Sequence, residues 1–241
     1  MISLTPFVPL APDDSGLPCG ILRYRVKNTS RDVLDVALVG SMCNPIDRSR
    51  GHVNKIVARE DFTALSFTGG KDPEDPRLNG DAALVVLDQP VTCKTAWLRG
   101  DWWDAFQDFW DDFADDGKLH DNTYPDARAP GAFEIGSIGS FIALKPGESH
   151  DFTFIIAWYF PIRLGSWNQV AAPTEESKKR ALCTRYASRF TDAFDVVQYA
   201  VANRARLERA SRAFRDAFFE STLPAYVLDA VSANITAARS V

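Results

Sequence analysis

The sequence predicts a mostly β chain, an antiparallel β-sandwich with one inserted helix and a C-terminal helical tail. Three observations carry that expectation. From Leu4 to about Phe160, short β-branched and aromatic runs are separated by clusters of Pro, Gly, Asn and Asp, the punctuation of strands and turns. Within that region, Trp102 to Phe113 repeats its aromatics at one, three and four residues, which is a helical period. From Asp192 the helical period takes over to Phe219 and resumes after Pro224.

The candidate strands are Gly20 to Asn28, Val33 to Met42, Phe62 to Thr68, Ala82 to Leu87, Cys93 to Leu98, Ala132 to Leu144 and Asp151 to Tyr159. That number and spacing suit a sandwich. Val33, Asp35 and Ala37 oppose Leu34, Val36 and Leu38, so only part of the second strand alternates and the rest of it reads as doubly buried. Lys145-Pro146-Gly147-Glu148 has the chemistry of a type II turn, because Pro presets the first central angle and Gly permits the positive second one. It is expected to close a hairpin between its two flanking strands.

In the inserted helix, Trp102, Trp103, Phe106, Phe109, Trp110 and Phe113 leave Asp101, Asp104, Asp108, Asp111, Asp112 and Asp115 mostly on the other faces. Burial against the sandwich is the expected use of these rings, each contributing roughly 1.5–3 kcal/mol. The competing reading is a sugar-stacking platform. Trp158 is expected in the core, and Trp167 falls in a loop with no structural role assigned. The long helix shifts its apolar stripe from Phe194, Val197 and Val201 to Leu207, Phe214 and Phe218, as a linker that changes neighbours would. The last helical pattern places Val227, Leu228, Val231, Ile235 and Ala238 on one face, with Thr222 as its cap and Pro224 in its first turn. Such a face needs a partner.

Composition excludes several functions. A net charge of -5, with Lys178-Lys179-Arg180 as the one basic cluster, argues against a nucleic-acid surface. That cluster reads as a solvated loop. No apolar run approaches the roughly 20 residues of a membrane span, and the longest, Phe152 to Phe160, has the length of a strand. The start, MISLTPFVPLAPDD, has neither the basic nor the apolar region of a signal peptide. Cys19, Cys43, Cys93 and Cys183 are far apart and form no Cys-x-x-Cys pair, so reduced thiols in a cytoplasmic protein are expected.

No motif assigns chemistry. Placing Gly117 sixth in a calcium loop puts Ala114 third and Thr123 twelfth, which breaks the ligand pattern. The acidic run therefore reads as a solvated helix face, with Asp101 and Asp104 favourable near a helix N-terminus. His52, His120 and His150 have neither metal nor triad spacing. Gly69-Gly70, Gly136 and Gly139 are followed by no Lys-Ser/Thr, so no phosphate loop is indicated. No catalytic, cofactor-binding or metal residue is assigned, and no cofactor is expected.

The run Ser221 to Ser240, together with Thr184 to Ala200, resembles the domain junction of glycoside hydrolase family 116, the non-lysosomal glucosylceramidases and bacterial β-glucosidases. Pro6-Phe7-Val8-Pro9-Leu10, Pro12-Asp13-Asp14-Ser15, Leu17-Pro18 and Tyr24 to Asn28 resemble the middle of that family's N-terminal domain. Asp111-Asp112-Phe113, Gly117-Lys118-Leu119, Leu144 to Glu148 and Ala157 to Pro161 resemble later parts, whereas Arg163 to Ser177 departs from the pattern.

The resemblance implies a β-sandwich packed on a C-terminal (α/α)6 barrel that performs retaining hydrolysis with a glutamate nucleophile and an aspartate acid/base. Both catalytic positions would lie beyond Val241, and neither Glu220 nor Asp229 matches the family's motifs. It also implies further strands before Pro6, with Met1 an internal start. The expected organisation is 1–175 as an incomplete sandwich domain, 176–220 as a linker helix, and 221–241 as the first helix of the barrel. The expected function is the non-catalytic N-terminal portion of a β-glucoside-cleaving, glucosylceramidase-like enzyme, its partners the (α/α)6 domain and, through it, a β-glucoside or glycolipid. The alternative is a carbohydrate-binding sandwich without hydrolase activity, and a third reading is an interaction module with no sugar role.

Overall fold

A computed structural model describes residues 1–100, 102–164 and 174–235. The chain begins with β1 (Ile2–Leu4), the short α1 (Pro12–Ser15), β2 (Cys19–Lys27), β3 (Leu34–Cys43), β4 (His52–Ala58), β5 (Thr63–Gly69), β6 (Asp81–Val86) and β7 (Val91–Lys94). It continues with α2 (Asp104–Asp116), β8 (Ile135–Leu144), β9 (Ser149–Tyr159), β10 (Ile162–Leu164), α3 (Glu175–Lys179), β11 (Ala181–Cys183), α4 (Ala193–Phe219) and α5 (Ala225–Asn234). The larger sheet has the order β1-β2-β9-β6-β5-β4, and a three-stranded sheet has the order β3-β8-β7. All pairings are antiparallel. The fold is thus the expected antiparallel, mostly β architecture with an inserted helix and a helical C-terminal portion.

Side-chain alternation sorts the core into two layers on either side of the large sheet. Phe67, Leu84, Phe152 and Phe154 face the small sheet and meet Ile138, Leu38 and Ile142 there. Ile21, Ala64, Val85 and Ile155 point the other way and are covered by Val196, Val197, Ala200 and Leu207 of α4. On the outer face of the small sheet lies α2, tied down through Lys94. Helices α4 and α2 therefore occupy opposite outer faces of the sandwich.

Several expectations need correction. The strand at Leu34–Cys43 is not doubly buried: it is an edge strand, paired to β8 alone, and its residues are half-buried or exposed. Its Asp35 and Ser41 suit that edge. The turn at Lys145 to Glu148 has the expected bond, Glu148 N–H to Lys145 O at 3.0 Å, and Gly147 sits at φ 78°. It does not close a hairpin, because β8 belongs to the small sheet and β9 to the large one. It is the corner where the chain changes layers. Asn28 fastens that corner: its side-chain amide donates to Leu144 O and Asp32 O, each at 2.8 Å.

Burial of the α2 aromatics is overturned. Phe109 is buried and stacks on Trp97 at 4.4 Å, but Trp102, Trp103, Phe106 and Trp110 are 94%, 77%, 52% and 54% exposed. The acidic side chains Asp108 and Asp112 take the sheet-facing positions instead, because the buried cation of Lys94 needs them there. Trp158 is also exposed. It lies near the end of β9, past Phe152, Phe154 and Ile156, which pack in the layer between the sheets. The Cys93 to Leu98 strand ends early at Lys94, since Thr95 gives its N–H to Asp121 at 2.6 Å rather than to a neighbouring strand.

In the helical portion, Asp192 caps α4 by accepting from the Asp195 N–H at 2.8 Å. The last helix starts from Pro224 with no side-chain cap, so Thr222 does not play that role. Part of its apolar stripe is covered by the chain itself: Leu228 is buried, whereas Val231 is 46% exposed. Asp101, Trp167 and Ala238 lie outside the described residues.

Candidate functional site

The acidic run on α2 is used for attachment. Lys94, in β7, is buried and places its Nζ 3.2 Å from Asp108 and 3.0 Å from Asp112. Desolvation pulls its pKa down, but the two carboxylates outweigh burial and raise it. Asp112 also binds the His120 backbone N–H at 2.9 Å and contacts His120 Nδ1 at 2.6 Å. Burial pushes the Asp112 carboxyl up, and the His120 and Lys94 contacts together hold it below its ordinary value. Among the described residues no group of three or more His, Cys, Asp or Glu is placed to hold a metal.

The three histidines stay separate. His52 is buried with Nε2 2.8 Å from Ile46 O, His120 sits on Asp112, and His150 Nε2 is 3.1 Å from Asp88. The most perturbed carboxylate is Asp81, which burial pushes up to about 6. Its Oδ1 accepts the Ala193 N–H at 2.7 Å, so it serves the start of α4. Glu220 and Asp229, near the junction, are both exposed.

A cleft of about 220 Å³ opens between β1 and β2 on one side and the distal half of α4 with α5 on the other. Its apolar walls include Ile2, Leu4, Phe7, Phe214, Phe218 and Ile235. Phe7 packs on Phe214 at 5.1 Å, and its N–H donates to Ser211 Oγ at 3.0 Å. The acid at this cleft, Glu208, is engaged by Arg23 at 3.6 Å. These walls suit an apolar group; Phe219, at the same cleft, is half exposed, and Tyr226 and Val231 of α5 are exposed as well. Sequence reasoning found Phe214, Phe218 and Ile235 from helical spacing but missed Ile2 and Leu4. The alternation of Ile2 and Leu4 was the available signal, in a strand of only three residues.

The proximal half of α4 has a different role. Ala193, Val196, Val197 and Ala200 are buried on the large sheet, and the helix is pinned at its middle by Asp14. Beyond Ser211 no residue of α4 is fully buried. Helix α4 thus packs in the core of the large sheet as far as Leu207, and its distal part forms one wall of the cleft.

Residues 1–207 match a family model described as "beta-glucosidase 2, glycosyl-hydrolase family 116 N-term". The match ends at Leu207, the last apolar α4 residue buried on the sandwich. The rest of α4 and all of α5 lie beyond it.

Proposed function

The chain belongs to glycoside hydrolase family 116 and carries its N-terminal domain; from that premise we propose that it is the non-catalytic portion of an enzyme that cleaves β-glucosides, glucosylceramide among them. The single observation that carries this reading is the division of α4. Its part up to Leu207 completes the sandwich core, while its distal part and α5 also carry apolar side chains that stay exposed. Phe219, Tyr226 and Val231 are exposed there, and Phe214 and Phe218 wall the cleft. An apolar surface of this kind fits the face of a helical partner domain.

In this reading 1–175 is the sandwich domain, 176–220 links it to its partner, and 221–241 opens an (α/α)6 catalytic domain. Retaining hydrolysis needs two carboxyls roughly 5–5.5 Å apart, one ionised and one protonated. Those groups belong to the partner domain, and the sandwich and α4 set its position. The pairing of Glu208 with Arg23 supports a structural use for the acid at the cleft.

We place the protein in the cytoplasm. The absence of disulfides among the four cysteines, with Cys43 and Cys183 exposed, supports that placement. No helix among the described residues is long and apolar enough to cross a membrane.

The test is an assay of the purified chain on an aryl β-glucoside. No turnover above the uncatalysed rate is expected. Turnover at about 1–10³ s⁻¹ would overturn the assignment.

A further inference from the structure

We propose that the outer face of α2 is a binding platform for β-linked glucose oligosaccharides, separate from the surface that seats the catalytic domain. The choice of sugar rests on the family reading above; the platform itself rests on α2. Trp103, Phe106 and Trp110 stand at i, i+3 and i+7, on one side of the helix, and all three are more than half exposed. At 1.5 Å per residue this ridge runs about 10 Å along the axis. Beside it runs a polar row at i+1 of each ring: Asp104, Gln107 and Asp111, all exposed. Gln107 Nε2 donates to Asp111 at 2.7 Å, so the row is already ordered.

The two rows together select the ligand class. A pyranose has an apolar C–H face that packs on an indole and a rim of hydroxyls that donate to carboxylates and amides. Protein interfaces deplete Asp at their centres, and an acidic face repels nucleic acid and anionic lipid. A neutral polyol meets neither objection. The ridge is also held in place from beneath, by Phe109 on Trp97 at 4.4 Å and by Lys94 between Asp108 and Asp112. A platform fixed before binding loses little order on binding. Its position opposes the other apolar surface, since α2 covers the small sheet and α4 the large one.

The experiment is a titration of the full chain with cellotetraose, followed by intrinsic tryptophan fluorescence and isothermal calorimetry. A saturable signal is expected, weakened roughly tenfold in Trp103→Ala and in Trp110→Ala and unchanged in Trp158→Ala. Far-UV circular dichroism of each variant should match the parent, as expected for exposed positions. No saturable binding up to the solubility of the sugar would overturn the platform, as would binding that survives both ridge substitutions. A concentration-dependent dimer lost in Trp110→Ala would assign the ridge to a second copy and also overturn it. Turnover of an aryl β-glucoside by the chain defeats the scaffold assignment alone, so the two readings fail separately.

Discussion

The Asp14 carboxylate accepts two hydrogen bonds from the Arg206 guanidinium, at 2.6 and 2.9 Å, across 192 positions of sequence. The Tyr199 hydroxyl donates a third at 2.8 Å. Together they bind α1 to the middle of α4, one residue before Leu207, the last apolar α4 residue buried in the sandwich core. The Arg206 hydrogen bonds are the main reason the Asp14 carboxyl is held below its ordinary range.

Asp14→Ala should therefore lower stability at pH 7 by about 1–2 kcal/mol, allowing for the solvent that reaches Arg206. Because the folded pKa of Asp14 is depressed, its contribution is present above the unfolded value near 4 and is lost as pH falls through the folded one. Urea midpoints at pH 7 and pH 3 check both parts. The gap between parent and variant should narrow at pH 3.

Asp81 has the opposite sign. Its pKa rises to about 6 in the fold, so its contribution is greatest below the unfolded value near 4 and is lost as pH rises through 6. Asp81→Asn keeps an acceptor for the Ala193 N–H without the buried charge. It should raise stability at pH 8 by roughly 1–2 kcal/mol after screening is allowed for, with little gain at pH 4. Denaturation at the two pH values measures the difference.

Asn28→Ala removes the fastening at the corner between the sheets. The parent side chain uses both donors, and its oxygen accepts from Ser30 N–H at 2.9 Å and Ser30 Oγ at 2.8 Å. Truncation leaves the buried Leu144 carbonyl without that donor. A loss of about 2–3 kcal/mol is expected in chemical unfolding.

Lys94→Met should release α2 while leaving the sandwich folded. Asp108 and Asp112 lose their shared cation, at a cost of up to about 3 kcal/mol that falls on the α2 attachment. Hydrogen exchange should quicken across 104–116 and stay slow in β9. Equal acceleration in both would show that Lys94 supports the whole core.

The central strands and the main helices were legible because their apolar periods were long and consistent. Phe152 to Ile155 in β9, and Val197 and Leu207 in α4, are examples, buried as their spacing required; Phe194 and Val201, expected on the same stripe, are only half-buried. Edge elements were not. The strand His52–Ala58 carries Asn54 and Lys55 at its centre, and β1 has only three residues, so neither has enough period to stand out. Local turn chemistry gave the bend at Pro146-Gly147 but not its outcome, since pairing depends on which sheet each strand joins. The tryptophans of α2 misled for a similar reason: helical spacing places rings on a shared side, and the buried Lys94 then decided which side faced the sheet. The family was legible in the order of short motifs along the chain. The Asp14 bridge to Arg206 was not, because no local pattern joins residues so far apart.

Association between this chain and a separately produced family 116 catalytic domain, measured by isothermal titration, tests the scaffold role most directly. One-to-one binding is expected, weakened about tenfold or more by Tyr226→Asp and by Val231→Asp, which place charge at exposed apolar side chains of α5. Binding that neither substitution disturbs, or a chain that hydrolyses β-glucosides on its own, would contradict it.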